Sequence, residues 1–352
     1  MNHPRVSIII LNWNGWKDTV ECLESLYRID YPNYDVIVVD NGSEDDSVQK
    51  IREYAEGKIE VSSKFFEYSP GNKPIRVFEI SEEEAREGKF NRPVYEKYDV
   101  DRRMILIRNN NNYGFAGGNN VGIKFALSVF DSDYVLLLNN DTVVDPGFLR
   151  ELVKVADSDG KIGIAGPKVY YYENPSMIES MGGKINLYTI STSLIGNKEI
   201  DAGQHNKIID VDWVSGCCLL FKKSVIYTIG LLNPAYFLYF EETDFCFRAK
   251  KKTRLVAVPE SRIWHKSAST TTRFTGLGRY YTTRNRIKFA RKNLNSIKLS
   301  IFMTYFILIF FPAVLAWLTI IRKDRVLIMV FLKSIKDGIF DIDDFAYLLN
   351  TK

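Results

Sequence analysis

The chain has 352 residues, 46% hydrophobic and 26% charged, with a formal net charge of +4. That length holds one large domain or two small ones, and the apolar share suits a folded chain with a sizeable core. So small a net charge leaves no electrostatic footprint for nucleic acid as a partner.

Cys22, Cys217, Cys218 and Cys246 show no zinc-type spacing and read as reduced, mostly buried thiols of a cytoplasmic domain. The sequons at Asn41 and Asn140 are then expected to carry no glycan. MNHPRVSIIILNW at the start lacks the long apolar run and cleavage site of a signal peptide and is expected not to be one. VSIIILNWNG (6–15) is a β-branched run ending in Asn12 and Gly15, the pattern of a buried parallel strand and its loop. Val20, Leu23 and Leu26 then follow helical spacing. YDVIVVDNGSEDDS (34–47) and MILIRNNNNYGFAGGNNVGIKFALSVF (104–130) repeat the order strand, polar loop, helix, and YVLLLNND (134–141) adds another strand. The alternation predicts an α/β fold: a right-handed βαβ series with a mainly parallel sheet flanked by helices. Ligands bind such sheets at the C-terminal strand ends, where Asn12, Asp40, Asn110 to Asn112 and Asn139 to Asp141 gather.

Residues 62–103 interrupt this order with charge and with Pro70, Pro74 and Pro93; they read as an insertion, a hairpin with a short helix on the sheet surface. Beyond Asp141, the segments 161–172, 184–188, 208–226 and 254–260 read as shorter, more antiparallel strands. EETDFCFRAKK (241–251) starts a helix, and RYYTTRNRIKFARKN (279–293) reads as a basic amphipathic helix. From Leu299 to Ile321 there is no charge, a helix of about 34 Å. Basic residues flank it on both sides. Its length and uniform apolarity predict membrane association more than a buried core helix, although Pro312 could break it. Crossing the bilayer and lying in one leaflet both remain open at this point. The organisation read from these elements is a catalytic domain, 1–290, followed by a membrane-associated helical segment and tail, 291–352.

Four stretches carry chemistry. Asp40 ends a strand, where a carboxylate accepts hydrogen bonds from a base or ribose; Ser43 to Asp46 read instead as a helix cap. NYGFAGGNNVG (112–122) lacks both the dinucleotide and the P-loop patterns, and serves close backbone approach to a ligand or tight helix packing equally well. Asn139-Asn140-Asp141 offers one acid. Mg²⁺ or Mn²⁺ on a diphosphate needs few protein acids, because phosphate oxygens and water complete its shell; a simple turn also fits, and Asp145-Pro146-Gly147 is one. Glu241, Glu242 and Asp244 lie between an aromatic run and a helix, where apolar walls raise a carboxylate's pKa toward general-base work; first-turn helix acids also fit, but three acids in four residues next to Tyr239-Phe240 tilt the reading toward a site. His265 alone reads as structural, and Trp213 and Trp264 as core or sugar platforms.

In this order, VSIIILNWNG, VIVVDNGSEDDS, NNNNYGFAGGNN, YVLLLNNDT, DWVSGCCLLFKKSVI, YFLYFEETDFCFR and RIWHKSAS resemble glycosyltransferase family 2, the inverting GT-A enzymes, in its rhamnosyltransferase-like branch. The resemblance implies a GT-A fold and a nucleotide-sugar donor held by Asn12, Asp40, Asn41, Asn119, Asn139 and Asn140. It makes Asp141 and His265 the ligands of a divalent cation, Mg²⁺ or Mn²⁺, and Glu242 the base, with Glu241 and Asp244 beside it. Asn139 stands where the family has a first acid, Glu242 where it usually has Asp, and Asn119 where it often has Arg. Trp213, Arg279, Tyr280 and Arg284 fall in the acceptor region. A saccharide or lipid-linked saccharide acceptor at the cytoplasmic face of the cell membrane, anchored by 299–321, is the expectation. A nucleotidyltransferase on a similar sheet, or a non-catalytic glycan- or nucleotide-binding membrane protein, are the rival readings. NWNGWKDT lacks the Gly/Arg density that the first of these requires.

Overall fold

A computed structural model describes residues 3–267 and 276–342; Ala268 and Ser269 of the RIWHKSAS stretch and the tail from 343 lie outside them. The strands are β1 (Val6–Asn12), β2 (Tyr34–Asp40), β3 (Arg76–Ser81), β4 (Arg103–Arg108), β5 (Tyr134–Asn139), β6 (Thr142–Val144), β7 (Ile162–Tyr171), β8 (Ile178–Ser180), β9 (Gly183–Asn186), β10 (Ser191–Leu194), β11 (Ile209–Asp210), β12 (Cys218–Lys222) and β13 (Arg254–His265). The helices are α1 (Trp16–Leu26), α2 (Ser47–Ala55), α3 (Glu82–Glu87), α4 (Arg92–Tyr95), α5 (Gly114–Phe125), α6 (Phe148–Ser158), α7 (Lys223–Ile229), α8 (Glu241–Lys250), α9 (Leu277–Asn293), α10 (Ser296–Tyr305), α11 (Phe311–Ala316) and α12 (Arg325–Phe340).

One sheet organises the molecule, in the order β11-β13-β7-β12-β5-β1-β2-β4-β3, with β6 on β13 and β8 on β7. From β5 through β1, β2 and β4 to β3 every pairing is parallel. β1, β2, β4 and β5 are buried on both faces, which is why they read as unbroken Val/Ile/Leu runs rather than alternating ones. Two hydrophobic clusters cover the two faces, one holding Ile8, Ile10, Val36 and Leu136, the other Ile9, Ile37, Val39 and Leu137. Each such fully buried side chain contributes about 1.5–3 kcal/mol. The other half of the sheet is mixed: β12 is antiparallel to β5 and β7, while β13 runs parallel to β7, and β7 and β13, at 10 and 12 residues, are long rather than the short strands expected.

Register places the site. Asn12 pairs with Asp40, Leu11 with Asn139 and Asp40 with Arg108, so the polar ends of four strands form one row.

Three further expectations need correction. Residues 62–103 do not form a hairpin. Their Arg76–Ser81 segment adds β3 parallel to β4 as an edge strand, and Ser81 then caps α3 in a reciprocal capping box with Glu84. Of the segment expected to cap α2, Asp45 does so, its Oδ1 accepting from the Ser47 N–H at 3.0 Å, but Asp46 makes no side-chain cap and Ser43 turns back to Asp40. Nor is α9 amphipathic: Tyr280, Arg284, Asn285 and Phe289 are all buried, on several sides of the helix. Its polar side chains are inside because they hold neighbouring backbone carbonyls. Beyond Asn293, α10 joins α11 through one π-type turn and a second π-type turn extends α11, giving one rod, Ser296–Arg322. Phe302 and Phe306 of the rod share a cluster with Phe289, Phe240 and Tyr236, so the C-terminal segment packs directly on the preceding domain.

Candidate active site

An open cleft of about 760 Å³ lies over the ends of β2 and β4, lined among others by Trp13, Asp40, Ser43, Arg108 and Asn111, a size that suits a nucleotide-sized ligand. Asp40 is 3% exposed. Its Oδ1 accepts from Asn12 Nδ2 at 2.8 Å and Ser43 Oγ at 2.6 Å, and its Oδ2 from the Ser43 backbone N–H at 3.1 Å. A carboxylate has about four acceptor positions, so Oδ2 retains capacity for a donor in the cleft. Asn12 aims Asp40 rather than a ligand: its own oxygen accepts from Thr19 at 2.8 Å. Asn41 is a knot, donating to Asn112 at 2.9 Å and accepting from Asn109 at 3.0 Å. Asn119, 1% exposed, bonds the Phe115 carbonyl of its own helix at 2.9 Å. Asn140 donates to Thr19 Oγ1 at 3.0 Å. Of the six expected donor-binding residues, Asp40 lines this cleft with acceptor capacity to spare, while Asn139 and Asn140 are half-buried beyond it at the end of β5. Among the described residues Asn139 uses its backbone, not its amide, for bonds to Cys217 and Thr142.

The Asp141 carboxylate meets His265 because β13 returns beside β6, pairing His265 with Thr142, and the Lys266 N–H donates to the Asp141 carbonyl at 3.0 Å. His265 Nε2 lies 3.3 Å from Asp141 Oδ1. On its other side Nδ1 meets both oxygens of Glu179 at 3.1 and 3.0 Å. Burial works to lower the His265 pKa, yet the Asp141 and Glu179 carboxylates hold it well above the usual histidine value. That field favours a cation. A carboxylate on one ring nitrogen with the other nitrogen facing a second acid is the donor set that binds a metal through Nε2 and orients it through Nδ1. Among the described residues no cluster of three or more His, Cys, Asp and Glu forms a closed metal cage. Asp141 and His265 therefore fit a cation whose shell a bound diphosphate completes. Nothing local in the sequence marks Glu179; it sits in a short strand and comes to His265 from 86 positions away.

Glu241 and Glu242 open α8. The chain reaches them through a strained loop: Phe237, Tyr239 and Phe240 have φ of 62, 65 and 73°, a region that costs non-glycine residues about 1–3 kcal/mol each. Two contacts hold this loop. Gly114, at φ +68°, lets the Phe237 carbonyl approach so closely that a Cβ there would sit 2.4 Å away, and the Phe115 N–H donates to that same carbonyl at 2.7 Å. Asn285 of α9 donates to the carbonyls of Tyr236, Leu238 and Tyr239 at 2.9, 2.8 and 2.7 Å. Burial raises both carboxyl pKa values, and the Glu242 charge raises Glu241 further. Together the two carboxyls resist carrying two negative charges at once. The loop Ser215–Cys217 links the two acidic groups. A Cβ on Gly216 would lie 3.6 Å from Glu242 Cβ, while the buried Cys217 thiol, pushed up to about 11, senses His265, Glu179 and Asp141.

The remaining expected site residues are structural ties. Asp244 is 0% exposed and accepts from Arg248 at 2.8 Å, Asn293 at 2.9 Å and Tyr236 at 3.2 Å. Trp213 lies in the core against Gly183. The Tyr280 hydroxyl donates to Asp337 at 2.6 Å, Arg284 donates to the Ala235 carbonyl, and Arg279 stacks over Trp317 at 5.1 Å.

A parallel half-sheet with an acid ending β2, an acid following β5 and an acid pair opening α8 defines a GT-A glycosyltransferase fold. Residues 68–286 match the profile described as glycosyltransferase like family 2, and residues 7–73 that of glycosyl transferase family 2. The first match covers more than half of the sequence, and the chain belongs to this family. It is 32% identical over 141 residues to the low-salt glycan biosynthesis hexosyltransferase Agl10 of Haloferax volcanii, covering 40% of this chain and 44% of that protein. It is 27% identical over 155 residues to the N-acetylglucosaminyl-diphospho-decaprenol L-rhamnosyltransferase of Mycobacterium tuberculosis, covering 40% and 49%. The matched region thus spans about half the length of these curated relatives. The mannosyltransferase PcManGT from Pyrobaculum calidifontis, solved with GDP-Man and Mn²⁺, superimposes with a TM-score of 0.54 at 14% identity, covering 97% of this chain and 89% of that one, a likeness of fold.

Proposed function

We propose that the chain transfers a sugar, with inversion, from a nucleoside-diphosphate donor to a hydroxyl of a saccharide acceptor, lipid-linked and at the cytoplasmic membrane face, in cell-surface glycan synthesis. The observation that carries this reading is the Glu241/Glu242 pair, with raised carboxyl pKa values, set across the Ser215–Cys217 loop from Asp141 and His265. Asp40 takes the base or ribose, and the Asn139 amide takes ribose or sugar hydroxyls. Asp141 and His265 would hold Mg²⁺ or Mn²⁺, which when bound supplies neutralisation of the leaving diphosphate. Glu242 accepts the acceptor hydroxyl's proton as that oxygen attacks the anomeric carbon from the face opposite the diphosphate. Glu241, protonated beside it, keeps a single negative charge on the pair. The relatives' names support the acceptor class: a hexosyltransferase of glycan synthesis and a rhamnosyltransferase acting on a diphospho-decaprenol.

Nucleotide release from a panel of nucleotide sugars, with Mn²⁺, Mg²⁺ or chelator, tests the reading. One donor should be turned over in a cation-dependent way, and Glu242→Gln should lower kcat by at least about 10²-fold with donor affinity kept. Full turnover by Glu242→Gln removes it as base; chelator-insensitive turnover and donor affinity remove the cation.

A further inference from the structure

The rod Ser296–Arg322 has the composition of a transmembrane helix: 27 residues, a mean hydropathy of 2.3 in its apolar window, and only 11% of that window buried. At 1.5 Å per residue it is about 40 Å long, more than a hydrocarbon core requires. Its packing, however, does not allow it to cross. α9 lies along it from one end to the other. Phe289 clusters with Phe302 and Phe306, the Arg286 guanidinium stacks 4.6 Å over the Phe310 ring, and Arg279 stacks 5.1 Å over Trp317. α12 covers a second side, with Phe331 5.9 Å from Phe311 and Leu327 against Leu318. α9 is in turn fastened to the loop before Glu241 by the three bonds of Asn285. A rod threaded through a bilayer would carry Arg279, Arg286 and that loop into hydrocarbon, where charged groups and irregular backbone are costly.

We propose that the rod lies in the membrane plane, sunk into one leaflet of an anionic bilayer by the face it leaves uncovered. Ile297, Ile301, Ile307, Leu308, Ile309 and Ile320 are exposed along its uncovered sides, Leu308 by 68% and Ile320 by 69%, and Val326, Met329 and Leu332 of α12 are exposed as well. Cations bound this surface: Lys292, Arg322, Lys323 and Arg325 are exposed at its two ends, and no acid occurs between Asn293 and Lys323. An apolar stripe with basic ends matches acyl chains below and anionic headgroups around it. Two different sides of α9 then face the leaflet-bound rod and the acid-bearing loop, which fixes Glu242 at a set height above the lipid surface. The inference deepens the membrane-borne acceptor reading, but its test needs no turnover.

The full chain is expressed in bacterial cells carrying Lys292→Cys or Arg325→Cys, one on each side of the rod; the four native cysteines are buried. A membrane-impermeant maleimide should label both from the cytoplasmic side, in inverted membrane vesicles, and neither in intact spheroplasts. Labelling from opposite sides shows a crossing helix and overturns the proposal. A fluorophore on Leu308→Cys should be quenched by shallow and not by mid-bilayer spin-labelled lipid; mid-bilayer quenching overturns it also. Purified chain should bind phosphatidylglycerol vesicles more than about tenfold tighter than phosphatidylcholine vesicles. Equal or absent binding refutes the anionic leaflet as occupant. A silent donor panel with same-side labelling refutes the proposed reaction and leaves the in-plane rod standing.

Discussion

Asn285→Ala isolates the coupling between α9 and the acid-bearing loop. The wild-type amide is 0% exposed and serves three carbonyls within 2.9 Å. Its two N–H groups make the equivalent of two full bonds, each contributing about 0.5–1.5 kcal/mol, and at least one carbonyl left buried without a donor costs a further ~1–3 kcal/mol. The expected loss of stability is about 3 kcal/mol, read by urea denaturation of the purified chain. The loop also holds three residues at positive φ; without the clamp this strain relaxes and displaces Glu241 and Glu242. kcat should therefore fall while donor KM, set at the ends of β2 and β5, stays within about twofold. Asn285→Asp should be worse than Asn285→Ala, because it puts a carboxylate against three carbonyl oxygens. An unfolding midpoint like wild type for Asn285→Ala, or an Asp variant more stable than the Ala variant, refutes the clamp.

Three further outcomes follow from the site. Glu179→Gln should weaken Mn²⁺ binding by about 10–100-fold with the fold intact, measured by calorimetry in the presence of nucleoside diphosphate; unchanged affinity removes Glu179 as the group orienting His265. Glu241 has a folded pKa raised by burial and by Glu242, so its folded, protonated form contributes stability that is lost as pH rises through that value. Glu241→Gln should leave stability near the wild-type value below the ordinary glutamate pKa and improve it toward alkaline pH; a parallel pH profile for the two proteins contradicts this. Asp244→Ala breaks a buried pair with Arg248 and should destabilise by about 3 kcal/mol. The folded fraction should keep most of its kcat, which marks Asp244 as a structural tie; a kcat loss matching that of Glu242→Gln argues for a direct catalytic role.

Much of this could be read along the chain because it is local. A strand end is visible in sequence: Asp40 and Asn139 each follow an uninterrupted apolar run, and Asp141 lies two residues beyond Asn139. What the sequence hid depends on distant partners. Glu179 has no motif around it, and its role exists only because β7, β8 and β13 are adjacent. The polar residues of Arg279–Asn293 look like a solvated face, yet their carbonyl partners in 235–239 draw them inside. β3 was obscured because charges and prolines surround Val77, Phe78 and Ile80, and an edge strand needs only one covered side.

That edge strand has a consequence for behaviour in concentrated solution. A parallel sheet that ended at β4 would present an apolar strand, MILI, whose free N–H and C=O groups could recruit another chain. β3 takes that position with exposed Arg76 and Glu79, and Glu79 pairs with Arg52 and with Arg108 at 3.3 Å. It is six residues long and ends at once in the cap of α3. Short length and outward charge discourage strand-to-strand growth, so residues 62–103 also act as a guard against self-association, and trimming them would leave a fold prone to aggregate.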